Sequence, residues 1–508
     1  MRDKSELQDY EPVTPSRSQR RVSSGDTEDD SQPIRKLEPA VVINMPRRLN
    51  PVPRVASEPR KDNSLPSQSR QTPPALNRSL KRGHSLSYLG LFVFTFLVYV
   101  RPYELFPSLG WLSRSALIVA LATLVVFIPT QLGLENRITT WSREVKLAVA
   151  LLITGVLSIP FALEPQRAFQ SFVDFLKVIL MFIVMVNVVR TDSRLRRLIL
   201  LVLFVSCVLS VAALNDYAHG NLAMAGTRIA GLIGGLFSNP NDLALHLVTM
   251  IPISLSLLLA SRGPLLKAVY LGCAVLMTLG LVATFSRAGF LGFVCMIGFL
   301  VWKLARRNRV LFGAMALTVV VAAVALAPGA YRSRLATTGD DSAVARTDDL
   351  KRSILVAVRH PLFGVGMDNY ILYSNMNKAT HNAYTQVAAE MGLAGLLIYV
   401  SFLITPFKRL RRIERATVTG RRKPPVYYLA IGLQASLVGY MVVSFFASVA
   451  YLWYVYYLVA YGVCLQRIYA GVAEDSEPAS KSNYQSGISP TRHPSAVGLD
   501  RTVVAGGN

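Results

Sequence analysis

The sequence predicts an all-α integral membrane protein of about twelve transmembrane helices with one large, partly helical loop on its outer face. Three observations carry this. Of its 508 residues 52% are hydrophobic and only 17% charged, whereas a soluble chain carries about 25% charged residues. The mean hydropathy is +0.38. The apolar residues fall into continuous runs without the two-residue alternation of a β-barrel, which leaves helices as the way to satisfy a spanning backbone. The charge is lopsided, with 54 Lys and Arg against 30 Asp and Glu, and the basic residues lie between the apolar runs. That placement points to bilayer orientation and excludes a soluble nucleic-acid binder.

Residues 1–85 are rich in Pro, Ser, Arg and acidic residues and poor in aromatics, so they are expected to be a disordered cytoplasmic tail. It contains 16 basic residues and ends in Lys81 and Arg82, placed to hold the N-terminus inside and to touch anionic lipid. The first apolar run starts near Leu86 behind this polar segment, so it is expected to stay as a membrane helix rather than be cleaved as a signal. A polytopic domain then covers 86–465. Its segments are 86–101, 114–130, 147–163, 168–189, 198–214, 241–261, 267–285, 288–305, 310–328, 391–407, 425–446 and 448–465. Several fall short of the ~20 residues that cross a bilayer untilted. Residues 466–508 are polar and are expected to form a second disordered cytoplasmic tail.

Starting from a cytoplasmic N-terminus and alternating sides, the short inside connections hold 21 Lys and Arg. The outside ones hold five: Arg101, Arg114, Arg167, Arg228 and Arg287. A miscount by one helix would reverse this bias, so both termini are placed inside. One outside connection, about 328–390, is too long for a turn. It contains Asp340, Asp341, Asp348 and Asp349, an amphipathic stretch over Leu350–Val358, and a closing polar pair, His381 and Asn382.

Helix entrances on the outer face offer the candidate chemistry. At the sixth span Asn239 can cap the helix and Pro240 suits its first position, with Asn241 following. At the eighth, Ser286 is a cap candidate and Arg287 adds a cation to the helix N-terminus, an arrangement that favours phosphate. Arg287 also reads as an interfacial arginine snorkelling to water, and Arg228 as a solvated loop residue. His381 reads as a cap for the tenth span, a solvated histidine or a base. Glu390 on the same helix reads as an interfacial carboxylate. Gly364-Val365-Gly366 lacks the strand and third glycine of a dinucleotide fingerprint and is read as a turn after His360-Pro361. The acid pairs show no D-x-D metal spacing, and Cys207, Cys273, Cys295 and Cys464 sit in apolar runs without C-x-x-C spacing, so neither a metal nor a disulfide framework is expected. Asp174 and Lys177 are spaced to pair on one face of the fourth span.

Taken in order, Arg228, Asn239-Pro240-Asn241, Ser286-Arg287-Ala288-Gly289, His360-Pro361-Leu362-Phe363-Gly364-Val365-Gly366, His381-Asn382 and Glu390-Met391-Gly392 resemble the O-antigen ligase and Wzy-type polymerase superfamily over about 86–465. The resemblance implies a metal-independent, inverting glycosyltransferase of the bacterial inner membrane that needs no cofactor. It would take glycan from an undecaprenyl diphosphate carrier and join it to a hydroxyl of a glycan or lipid acceptor. By that resemblance Arg228 and Arg287 bind diphosphate, His381 is catalytic and Arg346 is a further loop arginine. Asn239 and Asn241 would assist binding, with Asn382 and Glu390 in support. The implied partners are the lipid-linked donor, the acceptor and membrane lipids, not nucleic acid. The long N-terminal tail departs from compact family members. The rival reading is a transporter of a small anion or lipid-linked sugar, which would also use outward arginines. It is disfavoured because no internal repeat is evident and the polar residues gather at one face rather than at mid-membrane.

Overall fold

The computed structural model describes residues 83–221, 229, 237, 239–304, 313, 321, 341–374, 379–418 and 423–476. The expectations for residues 1–82, Arg228, the ninth span at 310–328 and the tail beyond 476 lie outside the described residues. Among the described residues there are helices and turns but no strand. The helices are α1 (Ser85–Val100), α2 (Ser115–Glu135), α3 (Arg143–Ser158), α4 (Pro165–Val188), α5 (Asp192–Ala218), α6 (Pro240–Ala260), α7 (Pro264–Ala283), α8 (Arg287–Leu304), α9 (Asp341–Arg359), α10 (Ala383–Ala416), α11 (Pro425–Val443) and α12 (Trp453–Ser476). All belong to one unit, Gln71–Asn508.

Local chemistry sets many of the starts. Ser142 caps α3 by accepting from Val145 N at 3.3 Å, and Thr191 caps α5 by accepting from Arg194 N at 3.3 Å. Proline opens α4, α6, α7 and α11, where its missing N–H leaves no intrahelical bond unmade.

Among the described residues ten helices are long and apolar enough to cross a membrane, and the protein is an integral membrane protein. α12, the last of the twelve expected spans, is not among them. Tyr454, Tyr456, Tyr457 and Tyr461 are buried against other helices rather than presented to lipid. Their hydroxyls need partners there: Tyr456 donates to Ala450 O at 3.1 Å, and Tyr457 shares a 2.9 Å bond with Thr95. α12 also runs to Ser476, past the boundary expected at 465.

α6 and α11 form the centre of the bundle, with 78% and 72% of their apolar windows buried against 22% for α2. Small residues allow this approach: a Cβ at Gly292 of α8 would lie 2.3 Å from Val443, and one at Gly432 2.7 Å from Ser256.

The basic ends of the helices carry ion pairs that spacing did not reveal. Lys303 meets Glu414 at 2.7 Å with side chains 8% and 4% exposed, and Gln434 donates to the same carboxylate at 3.1 Å. Arg190 pairs with Glu135 at 2.7 Å, and Arg409 with the buried Glu144. The Asp174–Lys177 pair forms at 2.7 Å as the spacing predicts, but with side chains 61% and 40% exposed it bridges a surface rather than a buried face.

Candidate functional site

Three helix starts and one loop helix meet around a cavity of about 350 Å³. Asn241 from α6, Arg287 and Leu291 from α8, Arg346, Thr347 and Leu350 from α9, and His381 and Asn382 at the start of α10 all line it. Phe285, Phe445 and Phe446 add aromatic surface to its lining.

Each polar group is set by its own backbone. Asn239 accepts from Asn241 N at 2.9 Å, which caps α6 and leaves the Asn241 side chain at the cavity. Ser286 accepts from Gly289 N at 3.1 Å, so it is the α8 cap the sequence suggested. Its hydroxyl also donates to Asn241 Oδ1 at 2.9 Å, which locks the two helix starts together. Close packing behind them needs Gly289, where a Cβ would lie 2.6 Å from that of Ala244.

At α10 the cap is Asn382, not His381. Asn382 Oδ1 accepts from Tyr384 N at 2.8 Å and from Thr385 N at 3.1 Å. His381 adopts a left-handed φ of 51° and lines the cavity. Thr380, hydrogen-bonded to Ser448 at 2.9 Å, ties this turn to the segment following Phe445 and Phe446.

The α10 helix enters at Ala383 rather than at 391, because the residues assigned to the end of the loop are its first two turns. Those turns stop at Gly392, whose φ of 75° and ψ of −178° break the helix. The turn after His360-Pro361 docks on that break. Val365 N donates to Ala389 O at 2.9 Å and Gly366 N to Glu390 O at 3.0 Å, satisfying carbonyls that the break would orphan. Leu393 N, the first donor of the second half, bonds Pro361 O at 2.8 Å. Gly364, with φ of 70°, passes so close that a Cβ there would lie 2.4 Å from the Glu390 carbonyl carbon. The turn thus links the C-terminal end of α9, a helix whose N-terminal half carries Arg346, to the half-helix that follows His381.

Not every expected residue reaches the cavity. Asn239 serves as a cap. Glu390 is buried below it, 4% exposed beside Tyr451 and Gln386, and contributes its carbonyl to the docked turn. Arg228 lies outside the described residues. The aromatic wall and Thr380 were not singled out from sequence. The only local signal was a Ser-Phe-Phe run at the C-terminal end of the eleventh span.

Two guanidinium groups and the N-terminal ends of α6, α8 and α10 face the same space, and no carboxylate is among the described residues lining it. Such a site favours an anion, and the phenylalanines offer an apolar surface beside it. Among the described residues, no group of three or more His, Cys, Asp and Glu is placed to hold a metal ion.

Comparison with protein families places residues 272–400 on the family described as O-antigen ligase. The matched interval begins in α7, includes α8 with Arg287, α9 with Arg346, the Gly364–Gly366 turn and His381, and ends beyond the α10 break. Asn241, Phe445 and Phe446 reach the cavity from outside the matched interval. No curated protein matches the chain.

Proposed function

We propose that the chain is a glycosyltransferase of the inner membrane, with its cavity on the outer face, that transfers glycan from a polyprenyl diphosphate carrier to an acceptor hydroxyl. The observation supporting this is the meeting of Arg287, Arg346 and His381 around one anion-favouring cavity with an aromatic wall. In this reading the diphosphate of the donor sits against Arg287 and Arg346, near the N–H groups that open α8 and α10. A neutral His381 imidazole accepts the proton of the acceptor hydroxyl. The hydroxyl oxygen attacks the anomeric carbon as the bond to the carrier diphosphate breaks, and the electron pair leaves with the diphosphate. The two guanidinium groups stabilise the growing negative charge, so no metal is needed for that role. Attack opposite the leaving group inverts the anomeric centre. The acceptor is a growing glycan, giving polymerisation, or a lipid core, giving ligation. Arg228 is assigned to diphosphate binding on the family resemblance.

The test uses purified full-length protein in vesicles with a synthetic polyprenyl-diphosphate sugar donor. His381→Ala should keep donor binding while transfer falls by about 10²-fold or more. Arg287→Ala should weaken binding and transfer together, with only partial rescue by Lys, which lacks the two-pronged geometry. Transfer should persist in excess EDTA. A folded His381→Ala protein transferring at the parental rate would overturn the catalytic assignment, and donor movement across vesicles without a new glycosidic bond would overturn the enzyme class.

A further inference from the structure

α9 is a 19-residue helix that is not among the candidate spans. Its inner side is accounted for: Val356 packs with Val365, Tyr370 and Ala389 in a small separate core, and Tyr370 donates to Asp349 O at 3.0 Å. Its N-terminal half supplies Arg346, Thr347 and Leu350 to the cavity.

The outer side changes character along the helix. Thr347, Asp348 and Lys351 are exposed in the first half. In the second half Ile354 is 48% exposed, Leu355 48% and Val358 69%, and the chain continues into Leu362 at 71% and Phe363 at 37%. Five large apolar side chains exposed together are not a water-facing surface. They are continuous with two spans. Phe363 stacks on Phe161 at 4.7 Å and 3° between planes, and Phe161, 54% exposed, ends the span Arg143–Phe161. Pro361 O holds Leu393 N, the start of the second half of α10, where Leu393 and Leu397 are 53% and 62% exposed. The exposed apolar residues of α9 and of the turn after it thus adjoin exposed apolar residues of two candidate spans, with Arg359 and His360 exposed between Val358 and Leu362. Lys351 and Arg359, both exposed, stand beside this surface, where long cationic side chains reach lipid phosphates.

The geometry points to α9 as an interfacial helix, tilted so that its C-terminal half lies in the acyl chains of the bilayer leaflet on the cavity side while its N-terminal half stays at the cavity. The occupant of the exposed apolar face is membrane lipid. The segment expected to be an outer loop is then partly membrane-embedded, and the seating of α9 in the leaflet helps to set where Arg346 stands.

The test places a nitroxide at Val358→Cys and, separately, at Lys351→Cys. The chain is full-length, its native cysteines are replaced, and it is reconstituted in phosphatidylcholine–phosphatidylglycerol vesicles. Power saturation is compared with oxygen, which concentrates in lipid, and with a water-soluble nickel chelate. The label at 358 should relax with oxygen and be shielded from nickel, and the label at 351 should show the reverse preference. A label at 358 as open to nickel as that at 351 would overturn the inference. So would a label immobilised and shielded from both, which would mean that protein, such as a second copy of the chain, covers the face. If Val358→Cys does not fold, Leu362→Cys reads the same surface. The lipid contact requires only that the neighbouring spans cross a bilayer. The spin-label result therefore bears on α9, and the His381→Ala result on the cavity.

Discussion

Replacing Gly392 by Ala should both destabilise the protein and disable the cavity above it. The backbone at Gly392, φ 75° and ψ −178°, lies in a region open essentially to glycine alone, and forcing a side chain into it costs about 1–3 kcal/mol. The new Cβ would sit 2.4 Å from Leu362 O and 2.8 Å from Pro361 O, which are backbone atoms that no rotamer change can move aside. The docked turn must therefore lift. That endangers the Leu393 N to Pro361 O bond and its neighbours at Ala389 and Glu390, each contributing about 0.5–1.5 kcal/mol. Strain plus one or two lost bonds comes to about 1.5–6 kcal/mol, a large share of the ~5–15 kcal/mol typical of a folded domain. Because the turn joins α9 to the first half of α10, lifting it shifts Arg346 relative to His381. A misplacement near 1 Å costs about 10²-fold in rate. Thermal unfolding in detergent and transfer from a lipid diphosphate donor measure the two effects. Gly272→Ala is the control, since nothing lies within 4 Å of its Cβ and helix propensity favours alanine there. A Gly392→Ala protein that melts and transfers like the parent, as Gly272→Ala should, would refute the role given to the break.

Two further outcomes test the opposite end of the bundle. Lys303→Met should cost about 3–5 kcal/mol, because it leaves the Glu414 carboxylate buried with only Gln434 to receive it. Lys303→Met combined with Glu414→Leu should recover most of that loss, and additive losses in a double-mutant cycle would count against the pair. His84 is held near a pKa of about 4, first by burial and then by Arg190, whereas an unfolded histidine titrates near 6.5. Between those values only the unfolded chain takes up the proton, so stability should fall as pH drops from about 6.5 to about 4. His84→Phe, which keeps a ring against Phe127, should flatten that part of the melting profile, and an unchanged slope would show that other groups set it.

Much of the fold was legible because its signals are local. Runs of apolar residues mark spans, and an Asn, Ser or Thr followed by a helix former marks a start. Asn239-Pro240 and Ser286-Arg287 could be placed as helix starts from a few residues each, and the amphipathic stretch before His360 announced α9. The first two turns of α10 were assigned to the loop because they are polar. The burial of Glu390 comes from the docked turn, a contact with residues 364–366 that no window of sequence contains. α12 was expected as a span, and its tyrosines are buried against other helices, with Tyr457 bonded to Thr95.

By itself the sequence determined the membrane class, the all-helical make-up, the caps at Asn239 and Ser286, and a short list of charged and polar candidates, because hydropathy and capping act over a handful of residues. The tertiary structure decided which candidates meet. It brought Asn241, Arg287, Arg346 and His381 around one cavity and assigned the cap to Asn382 rather than His381. It also paired Lys303 with Glu414 and laid the Gly364–Gly366 turn across the break at Gly392. Those outcomes rest on contacts between residues tens to hundreds of positions apart, where packing and the need to satisfy buried polar groups select the partner.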